Sequence, residues 1–283
     1  MYHNIKKTIY FLSATFVITF TFCSDCFAGA WTLEKGAMYN KLAANYFYAD
    51  EEFDESGSRN DFEANGDFED RNLNYYTEYG LIDKLTLITS LYYKYLKKED
   101  DTVEMKTYGI GDIDLGIKYK LIEGSNGVLS AQGLIKVPEA YDENDSVPLG
   151  NGQYDTELRL LYGRSLWPYI PGYCNFEIGY RWRAEEPADE FRYLVEFGMD
   201  FSQKAYGRVK LDGILGMDNG NEIEYGEGNP SATYDFDLGK LDIAFGYKVA
   251  PKWCVEIGYM PTIYGESTAA GATYSVALIF QIH

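Results

Sequence analysis

The stretch Thr107–Leu121, TYGIGDIDLGIKYKL, restricts the fold more than any other because its residues sort by parity into two unlike sets. Ile113, Leu115, Ile117, Tyr119 and Leu121 share one side of an extended chain, and Asp112, Asp114, Gly116, Lys118 and Lys120 share the other. Successive side chains of a strand point to opposite faces, so the segment reads as a strand with one apolar face and one face carrying both signs of charge. Two architectures use such a strand. A soluble antiparallel sandwich buries the apolar face, whereas an outer-membrane barrel turns it to lipid and gives the charged face to a lumen.

The same alternation recurs along the chain. Leu85, Leu87, Leu91, Tyr93 and Tyr95 oppose Thr86, Ser90 and Lys94; Phe176, Ile178, Tyr180 and Trp182 oppose Asn175, Glu177, Arg181 and Arg183; Tyr274, Val276, Leu278 and Phe280 oppose Thr273, Ser275 and Gln281. The spacing predicts roughly twelve strands of about ten residues, an even number that suits a single-chain outer-membrane barrel. The links also alternate, brief near residues 80, 124, 168, 203 and 251, and generally longer and more polar near 50, 98, 138 and 218, less clearly near 185 and 264. Short periplasmic turns and longer outer loops produce this rhythm, for which a sandwich gives no reason. The expected fold is therefore all-β, a single antiparallel transmembrane β-barrel of about 12 strands with short periplasmic turns and longer extracellular loops. No segment past the first thirty residues approaches the ~18 consecutive apolar residues of a membrane-spanning helix. A chain of this kind crosses lipid only as a closed barrel, since lipid offers no partner to an open strand edge.

The first segment supports that destination. Lys6 and Lys7 precede an apolar run from Ile9 to Phe22 and small residues at Ala28-Gly29-Ala30. This is the order of a secretory signal, so residues 1–28 are expected to be removed by cleavage after Ala28 or Ala30, leaving residues 29–283 as the barrel of a protein of the bacterial outer membrane. Cys23 and Cys26 have redox or zinc-type spacing but fall in the removed segment. Strand parity points Cys174 outward and Cys254 inward, so these two are not expected to bridge. The 27 Tyr and 16 Phe suit interfacial aromatic girdles. A formal charge of −19 makes nucleic acid a poor partner; outer-membrane lipid, lipopolysaccharide and the barrel-assembly machinery are the partners such a barrel implies. The acidic stretch Asp50–Arg71 has the composition of a solvated loop and lacks the EF-hand pattern for calcium.

Catalysis has little support in the residues. The histidines are His3, inside the signal, and His283, so no positioned Ser-His or Cys-His pair is available. The chain is expected to be no enzyme and to carry no cofactor or metal. Gly109-Ile-Gly111 and Gly150-Asn-Gly152 lack the strand-to-helix context of phosphate loops and read as bends. The chemistry lies on the inner faces, where Lys94, Asp112, Asp114, Lys118, Glu177, Arg181, Arg183, Arg192, Glu196, Arg208, Lys210 and Asp212 are candidate lumen-lining residues. Charges at this density need partners or water. They either line a polar lumen that passes a solute or fill a small barrel with salt bridges, and a barrel of this size permits both. The group Arg181, Arg183, Arg192 and Arg208 is the expected selectivity constriction.

The segments Gly109–Leu121, Gly150-Asn-Gly-Gln-Tyr-Asp155 with Tyr162-Gly-Arg-Ser165, and Ala28-Gly-Ala-Trp-Thr32 resemble the outer-membrane proteins named for the meta pathway of phenol degradation. The similarity spreads over most of the chain after the signal. It implies an outer-membrane channel or transporter for passive uptake of a small organic solute, aromatic compounds among them, and brings no catalytic residues. The end Phe280-Gln-Ile-His283 departs from the terminal aromatic common in outer-membrane barrels. The alternative is a closed structural or surface-binding barrel whose acidic outer loops bind ions, lipopolysaccharide or a partner.

Overall fold

Alternating runs pair with their neighbours into one closed antiparallel wall in the computed structural model, which describes residues 29–138, 140–142, 145–184, 187–220 and 235–282. The wall comprises β1 (Met38–Ala49), β4 (Asp67–Ile82), β5 (Leu85–Glu99), β6 (Glu104–Ile110) continuing as β7 (Ile113–Gly124), β8 (Gly127–Val137), β9 (Asp155–Ser165), β10 (Gly172–Arg183), β11 (Glu190–Asp200), β12 (Ala205–Gly216), β13 (Asp237–Ala250), β14 (Trp253–Glu266) and β16 (Ala272–Ile282). Counting β6 and β7 as one, there are twelve wall strands. β1 pairs with β16 through Met38↔Ile282, which closes the ring. A second small sheet, β15-β2-β3, joins β2 (Glu51–Phe53), β3 (Arg59–Asp61) and β15 (Thr268–Ala269) above the wall. The expected signal at 1–28, His283 and most of the link near 218 lie outside the described residues.

Leu73, Ile117, Leu160, Ile178, Phe245 and Val276, from six strands, are each about half exposed, although they are among the most apolar residues present. A continuous apolar band around the whole wall is too large for a water-facing surface and matches the lipid face of a spanning barrel. Tyr79, Tyr119, Trp167, Phe201, Tyr247 and Trp253 stand outward near the short-turn end, and Tyr48, Tyr93, Tyr108 and Trp182 near the loop end. These are the two expected aromatic belts. Cys174, half-buried, and Cys254, buried, are not joined in a disulfide.

Three segments differ from their sequence reading. Thr107–Leu121 is not one strand: β6 ends at Ile110 and β7 starts at Ile113, leaving Asp112 off the strand. The outer half of β5 pairs with β6 and its inner half with β7, so the wall strand is offset where the two meet. The acidic stretch 50–71 is not simply a solvated loop. It supplies β2, β3, a short 3-10 turn and the first residues of β4, because Phe53 and Phe68 are buried on a common side. The link from Pro138 to Gln153 turns back into the ring: Val147 and Leu149 are buried with Phe47, Phe68, Leu96 and Ala269, which are on other strands.

Candidate transport lumen

Inside the ring, three tiers follow one another along the axis. At the short-turn end the first described residues, 29–35, cross the opening. Lys118 Nζ donates to the Gly29 carbonyl at 2.8 Å and Ser130 Oγ to the Ala30 carbonyl at 2.5 Å. Trp31 stands edge-on to Tyr173 with ring centroids 6.0 Å apart. Leu33 N donates to Thr86 Oγ1 at 2.9 Å, Lys35 N to Asp83 Oδ1 at 3.0 Å and Gly36 N to the Gly80 carbonyl at 2.7 Å. Gly29 has φ +96° and packs against the Asn175 amide so closely that any side chain there would collide with it, so the segment starts where only glycine fits. The strap thus runs from β10 past β8 and β7 to the β4–β5 turn.

The middle tier holds two ion-pair networks. Arg208 reaches Asp242 at 2.8 Å, Glu256 at 3.1 Å and Glu196 at 3.5 Å; Lys41 joins Glu256 at 2.6 Å, and Lys210 joins Asp242 at 3.6 Å and Asp212 at 3.7 Å. Tyr173 and Tyr206 donate to Glu196 and Glu256 at 2.7 and 2.9 Å. In the second network Arg159 bridges Glu157 and Glu177, both at 2.8 Å, Arg181 meets Glu157 at 3.0 Å, Arg192 meets Glu190 at 2.8 Å and Arg183 meets Glu190 at 3.5 Å. Arg208 with Glu256 links β12 to β14, and Arg192 with Glu157, at 3.6 Å, links β11 to β9; pairs between strands that are not neighbours are possible only on the concave side. Charged groups removed from water are tolerable here because each network supplies opposite charges at contact distance.

At the loop end the returning segment is tied to the wall by polar contacts. Lys94 Nζ donates to the Leu149 carbonyl at 3.0 Å, Lys136 Nζ to Asn151 Oδ1, Tyr141 Oη to Asp112 Oδ1 at 2.6 Å and Gly152 N to Tyr141 Oη at 2.9 Å. Two cavities lie inside the ring among the described residues. One of about 170 Å³ lies among Tyr39, Tyr76, Tyr173, Tyr206, Lys41 and Arg208. Another of about 220 Å³ lies beneath the returning segment.

The candidate residues take different places in this arrangement. Glu177, Arg181, Arg183, Arg192, Glu196, Arg208 and Lys210 are in the middle networks, and Asp114 and Asp212 lie on inward-facing positions of β7 and β12. Lys94 and Asp112 hold the returning segment. Lys118, only 1% exposed, is covered by the strap and pairs with Glu78 at 3.0 Å. The expected arginine group divides: Arg181, Arg183 and Arg192 line the 220 Å³ cavity, and Arg208 lines the other. Arg208 sits three residues past the short-turn start of β12, whereas Arg192 sits two past the loop-end start of β11. Sequence reasoning passed over the strap and took Glu190 as part of a link. The strap carried a faint signal in its apolar Trp31 and Leu33.

No family model matches the chain, and no curated protein matches it. Among solved structures the chain is similar to an outer-membrane channel from Pseudomonas putida F1, with TM-score 0.71 and 14% identity over 89% of this chain and 98% of that one. It is also similar to the translocator domain of the autotransporter NalP from Neisseria meningitidis, with TM-score 0.52 and 11% identity over 88% of this chain and 90% of that one. A third is the KdgM porin in complex with disordered oligogalacturonate, with TM-score 0.50 and 7% identity over 86% of this chain and 99% of that one. These likenesses establish the fold, a closed antiparallel barrel of the outer-membrane kind.

Proposed function

We propose that the chain is a passive outer-membrane channel for a small organic solute, with the short-turn end facing the periplasm. The observation that carries this reading is how the ring is closed. The closures are two non-strand segments, 29–35 below and 145–153 above, held outside the strand ladder by isolated hydrogen bonds and by buried side chains, Ala30 against Val128 and Leu161 and Val147 with Leu149 against Phe47 and Leu96, while polar cavities remain inside the ring. Segments outside the ladder can move aside without breaking it, and the ion-pair networks of the strand side chains leave unfilled space inside the ring. The charged inner faces then form the lumen lining, with the paired arginines and carboxylates presenting donors and acceptors to a passing solute. The resemblance to proteins of the meta pathway of phenol degradation supports an aromatic compound among the solutes. Lipid, lipopolysaccharide and the barrel-assembly machinery are the partners of such a protein, and no catalytic step is assigned to it. Purified protein in planar bilayers is expected to give discrete single-channel conductance steps; absence of any steps from correctly folded protein would remove the channel reading.

A second reading has one observation in its favour. A cleft of about 470 Å³ opens at the loop end between the small sheet and the wall, lined by Glu52, Asp54, Glu63, Asp67, Glu99 and Asp100 against the single cation Lys98 among the described residues, with Phe53, Phe62 and Phe68 also in its lining. Its charge suits a cationic occupant and a surface-binding role. Loss of partner binding on deletion of residues 51–61, with conductance absent in the intact protein, is the result that favours it.

A further inference from the structure

The 220 Å³ cavity has an unbalanced lining. Among the described residues, Lys94, Lys136, Arg181, Arg183, Arg192 and Lys240 face it from five strands, against Asp112, Asp155 and Glu190. The carboxylates are already engaged. Lys136 holds Asp155 at 2.7 Å and approaches Asp112 at 3.8 Å, and Glu190 is shared by Arg192, Arg183 and Arg181 at 2.8, 3.5 and 4.0 Å. Lys94 and Lys240 have no carboxylate within 4.0 Å among the described residues. Lys94 donates to the Leu149 carbonyl and Lys240 lies 5.7 Å from the centre of the Phe47 ring. They approach from nearly opposite sides of the ring, β5 and β13. Two cations with no carboxylate at contact distance, the carboxylates Asp212 and Asp70 acting on Lys240 only from farther off, focus a positive potential into a space walled by protein, and an anion entering there meets them without displacing an existing ion pair.

Beside the polar Asn151, Thr262 and Thr268, the lining has an apolar surface formed by Phe47, Ile214, Phe236, Leu238 and Ala269. An inorganic anion would leave that surface facing nothing suited to it. A carboxylate on a small apolar body satisfies both halves, its head taken by lysine and by arginine forks that match carboxylate geometry, its body by the Phe47 side. The volume suits a ligand smaller than a drug-sized molecule. We infer that this cavity is a binding site for a small organic carboxylate in transit through the outer part of the lumen. The inference rests on the channel reading and adds to it a solute class and a location.

Isothermal titration of the detergent-folded protein with benzoate, benzamide and inorganic phosphate tests the site independently of conduction. Benzoate is expected to bind, benzamide and phosphate at least tenfold more weakly. The double substitution Lys94→Gln with Lys240→Gln is expected to weaken benzoate at least tenfold, and Lys94→Arg with Lys240→Arg to retain it, with heat-dependent gel mobility verifying that each variant is folded. Equal binding of benzamide, equal binding of phosphate, or an unchanged Gln double variant would each overturn the inference; should the Gln double variant not fold, Lys240→Gln alone is held to a threefold weakening. Conductance recorded on the same preparation separates the two ideas. Conductance without benzoate binding overturns the site and leaves the channel standing, and benzoate binding without conductance upholds the site and removes the channel.

Discussion

Lys118 holds two elements at once. Its Nζ lies 3.0 and 3.2 Å from the Glu78 carboxylate oxygens and 2.8 Å from the Gly29 carbonyl, and both side chains are almost wholly buried. Removing one partner of such a pair strands a buried charge, a loss of about 3–5 kcal/mol, whereas replacing both by apolar groups of like shape recovers much of it. Lys118→Met is therefore expected to lower the unfolding free energy by that amount in a denaturant titration of lipid-embedded protein, and Lys118→Met with Glu78→Leu to lower it clearly less. At the outer surface, Asp54 Oδ1 accepts from Ser56 Oγ at 2.6 Å, Ser56 N at 2.8 Å and Ser58 N at 3.0 Å, and Oδ2 from Asn60 Nδ2 at 2.8 Å. The Ser56 hydroxyl first, then the two amides, hold its carboxyl down at about 2, well below the ordinary value. A depressed carboxyl stabilises the folded turn at every pH above the unfolded value, and that contribution is lost as pH falls through the folded one. Amide exchange at Ser56 and Ser58, corrected for intrinsic rates, is expected to stay protected at pH 4 and lose protection toward pH 2. Loss already complete at pH 4 would contradict the assignment.

At the scale of elements, the wall strands were legible in the sequence and their closures were not. Alternation is a local property, since each outward Leu, Ile or Tyr declares its face relative to its own neighbours, so Ile117, Ile178 and Val276 were placed correctly from spacing alone. The strap 29–35 has no period to read. Its position depends on Thr86, Ser130 and Lys118, which lie 53, 100 and 89 residues from their partners in it. The returning segment carried a signal in Val147-Pro148-Leu149, an apolar triplet inside a polar link, yet only the far strands bearing Phe47 and Leu96 give that triplet something to cover. The break at Gly111-Asp112 was likewise hidden, because Asp112 keeps the right parity while its partner, Tyr141, comes from the returning segment. If the strap is a removable closure, deletion of residues 29–35 is expected to raise single-channel conductance severalfold while leaving heat-dependent gel mobility intact. An unfolded barrel after this deletion would instead mark the strap as part of the wall's stability.

At the scale of the whole molecule, inside and outside differ in what they tolerate. The outer band faces lipid, so a charge introduced at mid-height should cost about 2–4 kcal/mol, falling toward about 0–1 near the belts. Leu160→Arg is expected to show the larger loss in reversible folding into vesicles, and Tyr48→Arg, near the loop end, the smaller. Equal losses would deny a membrane-spanning orientation. Within the ring, ion pairs brace strands two apart, and an apolar cluster around Phe47, Phe68, Leu96, Val147 and Leu149 packs toward the loop end. That arrangement leaves space where side chains do not meet: the 220 Å³ cavity lies between the network around Arg181 and Arg192 and the returning segment, and the 170 Å³ cavity lies among strand residues around Arg208 toward the short-turn end. On the channel reading, solute passage depends on the closures more than on the wall. The most direct test is uptake by proteoliposomes containing the intact barrel, with a small organic solute such as benzoate and a bulky oligosaccharide compared side by side. The small solute is expected to enter well above the protein-free rate while the oligosaccharide stays out. Entry of neither, with the barrel shown to be folded and inserted, would contradict the account.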